Sequence, residues 1–336
     1  MMRYEDIVAY AQSGAFLKQL GLPEGTQLDL QLLGQGEYNR NYSFLHPKTG
    51  KKLVLRINTG SQMHLQDQIG YEFGALQALQ SSGRTPKPYF CDRQAGALVM
   101  EWLPGRPLRY ETDLEEAAKI LADIHTTPVA QDSTLLSPKR PARAIYEECL
   151  EMVSHYYSWD KAEKAICRLL EQMVEEVGKL PLDAPATSPR CIVNTELNSG
   201  NFLIQQDGHS CLVDWEKPLL SEPEQDLGHF LAPTTTFWKT DVILTPEQIR
   251  QFVECYQRAV GDRLDLAHLQ QRLPLYFTVT CLRGVTWCAM ALREYDDPAR
   301  PLTNASTLQK IQQYLSTDFL ERLLRDYVRQ NFLKEE

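Results

Sequence analysis

The stretch from Cys191 to Glu216, CIVNTELNSGNFLIQQDGHSCLVDWE, decides the fold. It opens on an apolar run, Cys191-Ile192-Val193, that reads as the end of a buried strand. Asn194 to Asn201 is polar and turn-rich, unable to continue a strand or to begin a good helix. Phe202-Leu203-Ile204 and Cys211-Leu212-Val213 read as two short strands joined by a hairpin, with Asp207-Gly208 as its turn signal. Asp214 follows directly. A carboxylate (Glu196), an amide (Asn201) and a second carboxylate (Asp214) therefore stand at the ends of three consecutive short strands, as candidates to face one cleft.

Phosphoryl transfer from a nucleotide needs that set: two oxygen ligands for a magnesium ion on the phosphates and one carboxylate for the attacking hydroxyl. In the kinase catalytic loop the base precedes the metal-binding Asn by about five positions, as Glu196 precedes Asn201 here. Asp214 closes a strand where the metal-binding Asp belongs. With Val213-Asp214-Trp215-Glu216 and the later Pro223, Asp226 and Leu227, the stretch resembles the catalytic core of the aminoglycoside phosphotransferase and choline kinase-like superfamily. The resemblance runs from about residue 28 to at least residue 300, and its specificity rests mainly on residues 196–227. The chain departs from the family pattern where a His-Gly-Asp run would stand, carrying Asn194, Thr195 and Glu196 instead. Glu196 reaches one methylene further than Asp, and a misplacement of about 1 Å costs on the order of a hundredfold in rate.

Upstream, Met1 to Leu22 reads as one helix ended at Gly21, and Leu28 to Leu33 as a strand. Gly34-Gln35-Gly36-Glu37-Tyr38-Asn39 then leads into the strand Tyr42 to Phe44. A strand, a Gly-rich turn and a returning strand describe a lid whose backbone N–H groups reach phosphates, with Gly34, Gly36 and Asn39 as its candidate residues. By itself the segment equally suits an ordinary hairpin. Lys51 to Ile57 reads as the third strand, and the resemblance puts Arg56 in the place of the phosphate-clamping lysine. Glu72, on a helix expected over Gln68 to Leu79, is its partner in this reading, against a solvated helix face as the plainer alternative. The strand ending at Met100-Glu101-Trp102-Leu103, before Pro104-Gly105, reads as a hinge whose backbone would meet adenine. Met100 and Trp102 suit plain core packing equally well.

Leu114 to His125 is a strong amphipathic pattern, with His125 expected as a packing or hydrogen-bonding residue near the catalytic loop. Helices are expected over 144–155, 161–180, 246–260, 266–295 with an interruption at Pro274, and 306–332. Tyr156, Tyr157, Trp159 and Trp287 stand as acceptor contacts or core, and Asp226 as a buttress of the catalytic loop.

The 336 residues suffice for one two-lobed unit. A net charge of −9 argues against a general nucleic-acid binder. No run reads as a membrane span, the N-terminus does not open a signal peptide, and eight scattered cysteines without a C-x-x-C pair suit free thiols in a reducing cytoplasm. The expected fold class is α+β, a bilobal protein-kinase-like fold. Residues 1–101 form a small antiparallel sheet with a helix, residues 102–336 a mostly helical lobe carrying loop 194–201 and Asp214, and the active cleft lies between them. The resemblance implies ATP and Mg2+ as cofactors and a small-molecule hydroxyl as acceptor, of aminoglycoside, choline or sugar-like type. It implies Glu196 as the residue that orients the acceptor, and Asn201 and Asp214 as metal ligands. No nucleic-acid or membrane partner is expected, and the chain is expected as a monomer or homodimer. Two other readings stay open: a pseudokinase that binds Mg-ATP without turnover, suggested by Asn194 and Glu196, and an interaction scaffold that only keeps the fold.

Overall fold

The computed structural model describes residues 3–36, 38–61, 63–206, 208–297, 304–330 and 333. Glu37 of the expected lid, Asp207 of the expected turn and Phe332 at the expected end of the last helix lie outside them. In chain order come α1 (Tyr4–Ala11), α2 (Gly14–Gln19), β1 (Gln31–Gln35), β2 (Asn39–Leu45), β3 (Lys52–Asn58), α3 (Gln68–Ala78), β4 (Pro88–Asp92) and β5 (Ala97–Glu101). Then follow β6 (Arg106–Pro107), α4 (Leu114–His125), α5 (Pro141–Tyr157), α6 (Lys164–Gly178), β7 (Cys191–Val193), β8 (Phe202–Ile204), β9 (Cys211–Leu212) and β10 (Leu219–Ser221). Helices α7 (Pro223–Leu231), α8 (Pro233–Lys239), α9 (Pro246–Val260), α10 (Leu269–Tyr295), α11 (Ala305–Tyr314) and α12 (Thr317–Leu323) come last, and a π-helical segment over Leu324–Arg329 continues from α12. Two compact units result, one of Met1–Arg106, Thr127–Leu135 and Leu203–Pro218, the other of Pro107–Thr126, Leu136–Phe202 and Leu219–Glu336.

The first unit is built on an antiparallel sheet in the order β1-β2-β3-β5-β4. Its central strand β3 alternates two buried faces. Leu53, Leu55 and Ile57 join Ile7, Phe16, Leu17 and Phe44 in an apolar core under α1 and α2, each such side chain worth about 1.5–3 kcal/mol when fully buried. Val54 and Arg56 necessarily point to the opposite face. The N-terminal segment is two helices rather than one, because Ser13 leaves helical geometry and accepts a hydrogen bond from Phe16 N as the cap of α2. The strand after it starts at Gln31, not Leu28, and runs on through Gly34. Segment 203–218, Asp214 included, clusters with this sheet and not with the helices, so the division differs from a cut at residue 101. The cause is local: Gln68 and Tyr71 of α3 donate to the carbonyls of Glu216 and Pro218, at 2.7 and 2.6 Å. Gly105 lies at φ 143°, and a Cβ there would stand 2.9 Å from that of Leu203, so this turn requires glycine.

The second unit is helical, with β7 and β10 paired antiparallel inside it. Its spine is α10, which packs on α5, α7 and α11. Contrary to expectation, α10 runs unbroken through Pro274. The ring removes one backbone donor, but the flanking residues are buried on both sides and the Thr278 hydroxyl donates to the Pro274 carbonyl at 2.8 Å, holding the turn together. At 27 residues α10 is long and apolar enough to cross a membrane, unlike any run expected from the sequence, and 72% of its apolar window is buried within the protein. The closing helix is instead two, α11 and α12, because Ser316 caps the second by accepting from Phe319 N. Gly228 lets α7 touch α10, since a Cβ there would fall 2.6 Å from the Phe277 nitrogen.

Candidate active site

In the first unit, Arg56 gathers four side chains. Its Nη1 lies 2.8 Å from Glu72 Oε1 and 3.2 Å from Glu216 Oε1, and its Nη2 lies 3.2 Å from Asp214 Oδ1. Nε donates to Asn41 Oδ1 at 3.1 Å, across the β2–β3 register that sets Asn41 opposite Arg56. Burial alone would lower the basicity of Arg56, but the three carboxylates outweigh it and hold the guanidinium above its ordinary value. Glu72 is equally buried. Desolvation pushes its carboxyl up, and Arg56 pulls it back only in part. Glu216 was not singled out from the sequence, although two positions separate it from Asp214.

The remaining first-unit candidates sit apart from this cluster. Gly34 ends within β1, and Gly36 donates its N–H to the Asn39 carbonyl at 2.9 Å, closing a tight turn. The Asn39 amide oxygen accepts from Asn41 Nδ2 at 3.0 Å and so connects with the Arg56 cluster through Asn41. Met100 and Glu101 lie in β5, with Met100 buried and the Glu101 N–H given to Lys87 O at 2.8 Å. Trp102 N–H goes to Lys52 O at 3.3 Å, and Lys52 Nζ sits 4.4 Å above the Trp102 ring. Among the described residues, Leu103 N–H has no acceptor, so it is the first of these amides left unpaired.

In the second unit, the loop after β7 is held from below. Asp226 accepts Asn194 N–H at 2.7 Å and Thr195 N–H at 2.8 Å, one on each carboxylate oxygen. His125 Nε2 lies 3.3 Å from Asp226 Oδ2, and its Nδ1 lies 2.9 Å from the Tyr256 hydroxyl. Leu197 N–H donates to His229 Nδ1 at 3.2 Å, which leaves the ring proton on the other nitrogen. The Asn194 side chain takes Glu196 N–H at 3.0 Å, and Asn201 Nδ2 donates to the Glu196 carbonyl at 2.7 Å. Glu196 and Asn201 are thus joined through backbone, and the amide oxygen of Asn201 is left as its acceptor end. Thr195 adopts φ 71°, a left-handed backbone that a β-branched residue takes only at a cost, and Asp214 adopts φ 66°. Tyr156 is fully buried with its hydroxyl accepting Glu163 N–H, so it serves the core. Trp287 is half-buried, edge-on to Trp238 at 5.2 Å.

The antiparallel sheet of the first unit and the helical second unit are those of the protein-kinase-like fold. The choline kinase of Streptococcus pneumoniae has this fold with a TM-score of 0.57 at 17% identity, over 88% of this chain and 93% of that one. A choline kinase from Cryptosporidium parvum gives 0.65 at 12% identity over 99% and 100%. A spectinomycin phosphotransferase, solved with ADP and spectinomycin, gives 0.60 at 14% identity over 96% and 98%. Residues 29–269 match the model of the phosphotransferase enzyme family, and the chain belongs to that family.

Proposed function

We propose that this chain is an ATP-dependent phosphotransferase that moves the γ-phosphoryl group to a hydroxyl of a small molecule. One observation carries the reading: a single guanidinium, Arg56, faces three carboxylates, Glu72, Asp214 and Glu216. Such an acid-rich cluster suits a divalent cation and phosphates arriving together. The donor chemistry fits magnesium, which prefers hard oxygen ligands and needs few from the protein when phosphates supply the rest. Asp214 is about a third exposed, at 32%, and is the ligand that this cluster offers. Bound there, the ion would neutralise charge on the transferring phosphate.

Arg56 binds the phosphates as a planar fork, and Glu72 keeps that fork in place. The turn at Gly34, Gly36 and Asn39 covers them, and Leu103 N–H meets the adenine ring beside Met100, Glu101 and Trp102. Glu196 orients the acceptor hydroxyl. Its oxygen forms a bond to γ-phosphorus as the bond to the β-phosphate oxygen breaks, ADP departs, and the hydroxyl proton passes to Glu196 or to water. Rate enhancement rests on positioning and charge neutralisation.

The test is thermal stability with and without Mg-ATP, in the native sequence and in Asp214→Ala, combined with an acceptor screen for ADP release. A specific binder at a hundredfold its Kd gains about 2.7 kcal/mol, a gain expected to vanish in Asp214→Ala. No shift at millimolar Mg-ATP defeats the proposal. A shift without ADP release on any acceptor favours the pseudokinase reading, for which the substitution of Glu196 at the base position is the supporting feature.

A further inference from the structure

The backbone just beyond Asp214 is held by a side chain that stands outside the ionic cluster. Gln68, the first residue of α3, is buried and donates from Nε2 to the Glu216 carbonyl at 2.7 Å. A carbonyl only accepts, so the amide nitrogen of Gln68 must face Glu216 and its oxygen must face the other way. There the Ser61 hydroxyl donates to Gln68 Oε1 at 2.6 Å while accepting the Leu65 N–H at 3.0 Å. One hydroxyl therefore fixes which way the amide points. Asp67 caps α3 by accepting the Gly70 N–H at 2.8 Å, so the helix start that carries Gln68 is fixed as well.

Ser61 ends a short segment that leaves β3 and touches the Gly-rich turn. The carbonyl of Tyr38, in that turn, accepts the Thr59 N–H at 2.7 Å and Asn58 Nδ2 at 3.2 Å. At the far end, Glu216 Oε1 and Asp214 Oδ1 each lie 3.2 Å from the Arg56 guanidinium. A continuous path of hydrogen bonds thus runs from the turn, through residues 58–61 and Gln68, to the segment of Asp214, all inside the first unit. The ion pairs to Arg56 have little directionality, whereas the bond from Gln68 pins one backbone atom. That precision matters for magnesium, which demands near-ideal octahedral geometry with ligands at about 2.0–2.1 Å.

Resting on the phosphotransferase reading, we propose that Gln68 is a positioning residue that couples the Gly-rich turn to Asp214, so that phosphates under the turn and magnesium on Asp214 bind cooperatively. Gln68 touches neither of them and acts through the Glu216 backbone. When phosphates order the turn, residues 58–61 are ordered with it, Ser61 holds the amide, and the amide holds Asp214 in place for the metal. Coupling of this kind is reciprocal: the metal tightens the nucleotide by the same factor as the nucleotide tightens the metal.

The experiment uses the full chain and reads, by calorimetry, the affinity for ATP with EDTA and for ATP with Mg2+; the ratio of the two is the metal-dependent gain. Gln68→Met should lower that gain about tenfold and leave the affinity for metal-free ATP within about twofold. Ser61→Ala should lower the gain about threefold, and Ser61→Thr, which keeps the hydroxyl, should restore it. In an Asn58→Leu background, which loosens the link to the turn, Gln68→Met should cost less than about threefold, because the two substitutions cut one path. An unchanged gain in Gln68→Met overturns the proposal, as does an equal loss with and without Mg2+, the mark of a merely structural role. Additive costs in the double variant overturn it too, and so does a native gain of one. If Gln68→Met does not fold, an unchanged gain in Ser61→Ala is the overturning result. Failure of the native sequence to bind Mg-ATP at all overturns the phosphotransferase reading, and this one with it.

Discussion

Two ionic clusters, one in each unit, are made of the same groups and behave differently. Around Arg56, three carboxylates share one guanidinium and one of them, Asp214, opens to solvent. At the start of α7, Glu222, Glu224 and Asp226 are all fully buried. Glu222 takes donors from Arg272, Tyr276, Thr187 N and Ser188 N, and Asp226 takes two loop amides and His125. Burial would raise the Glu222 carboxyl, yet those donors hold it below its ordinary value. Glu224 is the exception: Ser188 donates to one oxygen at 2.6 Å and the other has no partner among the described residues. Desolvation consequently lifts its carboxyl to about 7. The first cluster holds surplus charge at an opening, as a binding site does. The second is nearly self-satisfied and acts as a foundation. A buried carboxylate is therefore informative about function only once its donors have been counted.

Removing the foundation should have the largest effect. Asp226→Ala strips acceptors from two buried amides and from His125, and about 4 kcal/mol should be lost in urea denaturation. A loss under about 1 kcal/mol would mean that water replaces the carboxylate and that the two clusters are less distinct than drawn. Arg56→Met, in the open cluster, leaves three acids without their cation and should cost about 3 kcal/mol at pH 7. That cost should shrink as pH is lowered, since burial already raises the Glu72 carboxyl and loss of Arg56 favours its proton further; a cost independent of pH contradicts the charge account.

Glu224→Gln tests the exception. A carboxyl raised from 4.5 to about 7 by folding contributes stability that is whole below pH 4.5 and is lost as pH climbs through 7. The glutamine variant lacks that loss, so it should be more stable than the parent by about 2–3 kcal/mol at pH 8 and nearly equal to it at pH 4. Parallel stability–pH curves for the two proteins would refute the assignment. The smallest effect concerns the loop resting on the foundation. Thr195→Gly relieves a left-handed backbone at φ 71° and should gain about 0.5–1 kcal/mol in the urea midpoint. A net loss would show that the threonine side chain contributes more than the strain takes away.

Much of this was legible in the sequence because it is local or set by strand alternation. Arg56 and Glu72 meet because one face of β3 belongs to the apolar core and the other must face α3. Positions 196 and 201 fall together because a single tight loop joins them. What the sequence hid depends on side chains competing with the backbone. Ser13 and Ser316 each end one helix and cap the next, although the apolar spacing runs straight through them. Pro274 reads as a break, yet burial on both flanks and the Thr278 hydroxyl keep α10 whole. Glu216 was missed because its partner, Arg56, lies 160 positions away in the chain and only tertiary packing brings the two together. The same packing brings Gln68 to the Glu216 carbonyl.

The hydrogen bonds that Asp226 and His229 make with residues 194, 195 and 197 lie wholly within the folded chain. The entropy of ordering that loop is consequently lost once, when the chain folds, and does not recur at each encounter with a substrate. Association need not wait for the loop to form, and the affinity of a small acceptor is not diminished by the need to organise its own receptor.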